Sequence, residues 1–359
     1  MLKKIDIYII KKFLTTFFFS IFILAWIIVI FDLSQKVEDF IAREAPVKAI
    51  IFDYYVNFVP YFINLLSPLF IFIAVILFTS KMAGNTEIIA ILSSGISYRR
   101  LMRPYFISAL ILAGLSFYIN NYVIPKANKT RLAFEEKYYR NANRNYDRNI
   151  HRQVEPGLYM YMESYSVESD IGYKFSLERF DGKILKSKLL SDYAQWDTVK
   201  NKWRVRNYVI HDYKGIQESI RTGTFLDTSL NIYPADFKTR ANFIETMNLP
   251  ELNEYIEKKK LQGVENIEQL MLYKYQRLTS PFAAFILTLI GVTLSSRKVR
   301  GGTGVHMGLG MLLSAAYILF SQIFNNLAIG SGLNLILAVW IPNLIFLAIG
   351  IYLYIKAPK

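Results

Sequence analysis

Long uncharged runs alternate with short charged segments in the first and last thirds of the chain, and the middle third follows a different rhythm. A helix needs about 20 apolar residues to cross roughly 30 Å of hydrocarbon. Residues 13–31 form one such run, and residues 54–80, 104–125 and 278–296 form three more, closed by charges at Asp32, Lys81, Lys126 and Arg297. From 301 to 355 there is no Asp, Glu, Lys or Arg, and "NNLAIGSGLN" at 325–334 divides that stretch with turn-forming Asn, Gly and Ser. The pattern predicts six transmembrane helices. The start, "MLKKIDIYIIKK", has the basic character of a signal-peptide n-region. The apolar core behind it is too long for that, and no small-x-small site follows, so span one is expected to stay in the mature chain.

Between the third and fourth runs the period shortens to two. "LYMYMESYSV", "YKFSLERF", "ILKSKLLSDYAQW", "KWRVRNYVIHDY" and "TSLNIYP" alternate apolar and polar positions, with "DG" and "NK" dipeptides between them. Such alternation in aromatic and β-branched residues predicts antiparallel strands with one buried face. A β-sandwich or jelly roll is expected. "LPELNEYIEKKKLQG" then predicts a short helix at about 250–262, with Pro250 near its start, lysines in its last turn and Gly263 beyond it. The expected organisation is spans one to three over 1–124, an inserted all-β domain over 125–277 and spans four to six over 278–359.

Charge gives the orientation. Residues 1–12, 80–104, 297–306 and the tail together hold thirteen basic and two acidic side chains, whereas the short loop 32–53 holds three basic and five acidic. By the positive-inside rule both termini are expected to be cytoplasmic and the β-domain periplasmic. The net charge of +14 is therefore mostly a topology signal, not a nucleic-acid footprint. A composition 53% hydrophobic and 15% aromatic agrees with a membrane protein, and the absence of cysteine removes disulfides and thiolate metal sites.

Little of the sequence carries chemistry. "GGTGVHMGLG" at 301–310 lacks the lysine of a P-loop, and His151, His211 and His306 belong to no metal-binding spacing. No cofactor and no enzymatic activity are expected. One stretch stands apart: "NTEIIAILSSGISYRRLMRP" at 85–104 joins spans two and three on the cytoplasmic side. Ile88, Ile91, Leu92 and Ile96 share a helical face, Glu87 stands at the start, and Arg99, Arg100 and Arg103 follow. It reads either as an interfacial helix under the membrane or as a coupling helix presented to a soluble motor. Three functions stay open: a lipid-transport subunit driven by a separate ATPase, a membrane-anchored periplasmic binding or scaffold protein, and an intramembrane enzyme. The enzyme reading lacks paired carboxylates or a nucleophile within the spans.

These segments resemble one family, in order along nearly the whole chain. "IDIYIIKKFLTTFF", "NTEIIAILSSGIS", the β-domain, "LPELNEYIEKKKLQG", and "SQIFNNLAIGSGLN" followed by "WIPNLIFLAIG" are similar to the LptF/LptG (YjgP/YjgQ) permeases of the lipopolysaccharide exporter. The first and last are more similar to the LptG branch. The resemblance implies an inner-membrane permease paired with a second LptF/LptG-type permease on an LptB-like ABC ATPase dimer. It also implies a β-jelly roll that passes lipopolysaccharide to LptC- and LptA-like bridge proteins. Glu87 corresponds to the acid of the family's coupling loop, and Ser94, Gly95, Ile96 and Ser97 to the small-Gly-aliphatic-hydroxyl sequence after it. Ile88, Ile91 and Arg99 complete the expected coupling surface. Spans one and five line the lateral gate in such permeases. Here Phe18, Phe22 and Trp26 offer an aromatic wall on span one, and Met307, Met311 and Ala315 an adaptable one on span five. Family members carry basic residues at the outer end of span one to face lipid phosphates; "FDLSQKVEDF" offers Lys36 alone among three acids.

Overall fold

The structure is a computed structural model that describes residues 3–138, 148–215, 217–237, 243–262, 267–296, 302–330 and 332–357. It divides into two compact units, Met1–Tyr139 with Glu268–Lys359, and Arg140–Ile267.

The first unit is helical. α1 (Lys4–Ala42) is followed by α2 (Val47–Ala49), which runs through a wider π-type segment into α3 (Val56–Gly84). The short α4 (Glu87–Ser93) leads to α5 (Tyr98–Tyr118), and a second π-type segment joins α5 to α6 (Ile124–Tyr138). Third-span helicity thus continues past Pro125 into the charged sequence "KANKTRLAFEEKY". The C-terminal part of the unit holds α8 (Ile267–Thr279), α9 (Phe282–Ser295), α10 (Gly302–Gly330) and α11 (Leu335–Ile355). The remaining helix, α7 (Leu249–Leu261), belongs to the second unit.

Among the described residues, five helical stretches are long and apolar enough to cross a bilayer, and a sixth span exists only if α8 and α9 count together. α9 alone has 14 residues, about 21 Å at 1.5 Å per residue, which falls short of the hydrocarbon thickness. α8 extends it across a 50° bend at the Ser280–Pro281 break. α9 lies at the centre of the bundle, packed on α3, α5 and α11. Small residues permit that approach, as expected where helices associate without a hydrophobic driving force between them. A Cβ on Gly291 would lie 2.9 Å from Val75 Cγ1, and one on Gly310 of α10 would lie 2.3 Å from Ile76 Cδ1.

The second unit is built on one antiparallel sheet of six strands: β1 (Arg148–Glu155), β2 (Leu158–Ser166), β3 (Ile171–Asp181), β4 (Ile184–Asp197), β5 (Lys202–Lys214) and β6 (Gln217–Thr228). The strands pair in chain order from β1 to β6. The expected sandwich or jelly roll is not what the described strands form: they make one sheet in which each strand pairs with the next in chain order, without the Greek-key crossings between two sheets that a jelly roll needs. The alternation serves the sheet as expected. Met160, Met162, Phe175, Ala194, Trp203 and Val205 bury one face, and the chain after β6 covers it with Leu230, Ile232 and Phe237. The Trp203 indole donates to the Ile232 carbonyl at 2.9 Å. α7 is closed at its start by a reciprocal cap, Asn248 Oδ1 accepting from the Glu251 N–H and Glu251 Oε2 from the Asn248 N–H, each at 2.9 Å.

Candidate functional site

α4 is shaped by what precedes and follows it. Thr86 turns the chain with a φ of 61°, a conformation unusual outside glycine. Glu87 then places an acid in the first turn, where it meets the positive end of the helix dipole. Seven residues are too few for a helix to persist alone, so packing must hold it. Ile88 is buried, in one cluster with Met82, Ala83, Tyr98 and Leu101, and Ile91 and Leu92 are half-buried against the same core. Gly95 ends the helix with a φ of 84°, the left-handed conformation typical of the position after a helix. Ser97 Oγ then accepts the Arg100 N–H at 3.4 Å and caps α5. The helix expected over 85–101 is therefore two elements, since Gly95 closes one and Ser97 opens the next.

The expected coupling residues separate by face. Ile88 points inward, and Ile91 and Ile96 are half-buried. Ser94, Gly95 and Ser97 are exposed, as is Ile89, whose 55% exposure marks an outward apolar residue that the sequence pattern did not single out. Glu87 is not free within the chain: Tyr8 Oη donates to Oε2 at 3.0 Å and Asn85 Nδ2 to Oε1 at 3.4 Å. It has no basic partner among the described residues. Arg99 belongs to α5, at the rim of a groove shared with Arg103 rather than on α4.

A clamp that sequence reasoning missed lies beneath this surface. Arg100 donates from both terminal nitrogens to Asp6, at 2.7 and 2.6 Å, and Asp6 also accepts the Lys3 N–H at 2.8 Å. The first turn of α1 is thus pinned to the first turn of α5 by a bidentate pair, the strongest form of carboxylate recognition. Ile91 and Ile96 line a small cavity beside it, together with Asp6, Ile9 and Arg100. The one hint in the sequence is the acid at the third position of α1.

The lateral walls fall on separate helices. Phe18, Phe22 and Trp26 recur at every fourth position of α1 and are exposed, 61% for Phe22, while Phe13, Phe17 and Ile21 turn into the core. On α10, Met311, Leu312 and Ala315 are exposed and Met307 is half-buried against the cluster of Phe72 and Ile76. α1 packs on α3 and α5, and α10 on α3, α9 and α11. Lys36 faces inward: its ammonium bonds Asp32 Oδ1 at 2.7 Å and the Tyr54 hydroxyl, and lies 4.9 and 5.5 Å from the ring centres of Tyr54 and Phe58. Tyr54 Oη in turn donates to Asp32 Oδ2 at 3.1 Å. The Lys36 charge near the C-terminal end of α1 is thus met by the chain's own acid.

The sheet unit carries a groove of about 600 Å³ lined by Tyr159, Tyr161, Lys174, Glu178 and Lys188 among others. On its far strands Asp227 is held down to about 2 by hydrogen bonds from Arg204 and Lys200.

In comparison with known families the chain matches the model described as lipopolysaccharide export system permease LptF/LptG, over residues 7–356. No curated protein gives a significant match. The matched region contains nearly all of the helical unit, with α4, and the inserted sheet.

Proposed function

Because the chain belongs to the LptF/LptG family of lipopolysaccharide export permeases, and is accordingly a multi-pass inner-membrane protein, we propose that it is the permease subunit through which a separate ABC ATPase drives lipopolysaccharide out of the inner membrane. Similarity at its two ends favours the LptG branch. α4 carries this reading: a short helix between two spans, anchored by Ile88 and beside the Asp6–Arg100 clamp, with an outward surface of Glu87, Ile89, Ser94, Gly95 and Ser97. A movement imposed on that surface reaches α1, α3 and α5 together, because α1 packs on both α3 and α5 and Tyr105 of α5 stacks on Phe78 of α3.

In this reading both termini and α4 are cytoplasmic, and the sheet unit is periplasmic and hands the lipid to LptC- and LptA-like bridge proteins. The α1 wall of Phe18, Phe22 and Trp26 faces span five of a second permease, while Met307, Met311 and Ala315 of this chain face span one of that partner. Lys36, neutralised by Asp32, serves the outer end of α1 as a structural ion rather than a phosphate ligand. ATP binding and hydrolysis lie with the ATPase dimer.

The test is purification of the tagged full chain from native membranes. An ATPase and a second permease should co-purify from wild type, and the ATPase alone should be lost from Glu87→Ala, with melting unchanged. Removing one member of a desolvated charged contact costs about 2–5 kcal/mol of association. Recovery of the chain without an ATPase from wild-type membranes would overturn the proposal.

A further inference from the structure

Beyond the transport route, α5 sets Arg99, Met102, Arg103 and Phe106 on one face, at the spacing i, i+3, i+4 and i+7. Together with Leu289 of α9 and Ile351 and Tyr354 of α11 they line a groove of about 410 Å³. At 1.5 Å per residue Phe106 lies about 10 Å deeper along the helix than Arg99. The groove therefore runs from a cationic rim at the helix ends to an apolar floor.

Its charges are unbalanced. Among the described residues no acidic side chain lines it, and neither Arg99 nor Arg103 meets a carboxylate. Arg100, between them in sequence, turns to the other side and is neutralised by Asp6. An arginine at a span end can simply extend its head to water. Two arginines one turn apart above an apolar channel do more: together they set two positive charges where an anionic headgroup would lie, and the channel below accepts a chain. We infer that this groove binds one anionic diacyl phospholipid, its phosphate bridged by Arg99 and Arg103 and an acyl chain lying along Phe106, Leu289 and Ile351.

The groove involves neither the α1 wall nor the α10 wall, so this lipid is held rather than transported. Arg99 lies two residues after Ser97, which caps α5 immediately after α4, so the bound headgroup sits beside the element proposed to receive the motor's movement. The orientation proposed above makes it a lipid of the cytoplasmic leaflet. A reversed orientation would change the leaflet and leave the groove's ligand the same.

The experiment uses the full-length protein, with whatever subunits co-purify, in phosphatidylcholine nanodiscs. These are doped with phosphatidylglycerol or phosphatidylcholine carrying a photoreactive acyl chain, and labelled peptides are mapped by mass spectrometry. The phosphatidylglycerol probe should label the segments around Met102–Phe106 and Ile351–Tyr354, with the phosphatidylcholine probe at least about fivefold weaker. The Arg99→Gln/Arg103→Gln variant should lose about fivefold labelling per charge removed. Arg99→Lys/Arg103→Lys should keep most of it, Lys81→Gln should change nothing, and excess inorganic phosphate should not compete. Four results would each overturn the inference: equal labelling by both probes, undiminished labelling of the Gln variant, displacement by inorganic phosphate, or a protein cross-link filling the groove. Loss of labelling in the Lys variant at wild-type melting temperature would also overturn it, since the charges would then not be what selects the lipid.

Discussion

Replacing Ile88 with alanine tests whether α4 is mounted by its inner face. Ile88 is 1% exposed and is the one residue of α4 fully inside the core. Truncating a buried isoleucine to alanine costs about 2–5 kcal/mol. A seven-residue helix has no stability of its own to offset that loss, so the cost should fall on the local opening of α4. Taking about 3 kcal/mol, at 1.4 kcal/mol per tenfold, the open population rises about 150-fold. Hydrogen exchange read by mass spectrometry on the full chain reports this directly. The amides of Ala90 and Ser94, bonded to the carbonyls of Thr86 and Ala90, should exchange about two orders of magnitude faster in Ile88→Ala, with peptides from the middle of α3 unchanged. Ile89→Ala, on the outward face, should leave the same amides within about twofold of wild type, since exposed substitutions cost at most about 0.5 kcal/mol. Unchanged exchange in Ile88→Ala, or equal acceleration in both variants, would refute the mounting.

Orientation, the Asp32–Lys36 ion pair and the sheet's acid response give three further outcomes. The chain has no cysteine, so a thiol placed at Asn201, in the turn between β4 and β5, should react with an impermeant reagent in intact spheroplasts while one at Ser94 should not; the opposite result reverses the topology. Lys36→Met leaves Asp32 buried without its cation, and breaking such a pair costs about 3 kcal/mol, so the melting temperature should fall by several degrees with lipid capture in the surviving folded protein unchanged; unaltered stability would free Lys36 for a lipid phosphate. Asp227 sits at about 2, below its unfolded value near 4, so its contribution to stability is complete above pH 4 and is lost as pH falls through 2. In a Trp26→Phe/Trp340→Phe background, the fluorescence of Trp196 and Trp203 should report sheet melting that drops over that window and drops less in Asp227→Asn; identical profiles would contradict it.

The five helices long and apolar enough to cross a bilayer were legible as uncharged runs because hydrocarbon excludes charge, although α1 itself runs on past Lys12 and Asp32. The strands were legible too, since alternation such as buried Met160 and Met162 on either side of Tyr161 depends only on which face is buried. Their order was not: alternation is the same in a meander and a Greek key, and only the turn residues between consecutive strands, Pro156-Gly157 and Gly182 among them, carried that information. α4 announced itself by Ile88, Ile91 and Leu92, but periodicity cannot say whether an apolar face meets a core or a partner. The structure gives Ile88 to the core and leaves Ile89 outside. Asp6 and Arg100 are 94 residues apart, beyond any local pattern. The Asp32–Lys36 pair, by contrast, stood at i and i+4 and was readable by helical spacing alone.

The most direct measurement of lipid passage is a photo-crosslinking residue in place of Phe22, the centre of the exposed α1 wall. A lipid with several acyl chains gains about 0.8 kcal/mol for each buried methylene, so a transport cavity must present an apolar wall that opens sideways to the bilayer. In the assembled transporter, reconstituted with lipopolysaccharide, the residue at 22 should capture lipopolysaccharide, and the yield should change when ATP is added. Capture of ordinary phospholipid at a yield indifferent to ATP would contradict a transport role for this face and for the chain's proposed part in the exporter.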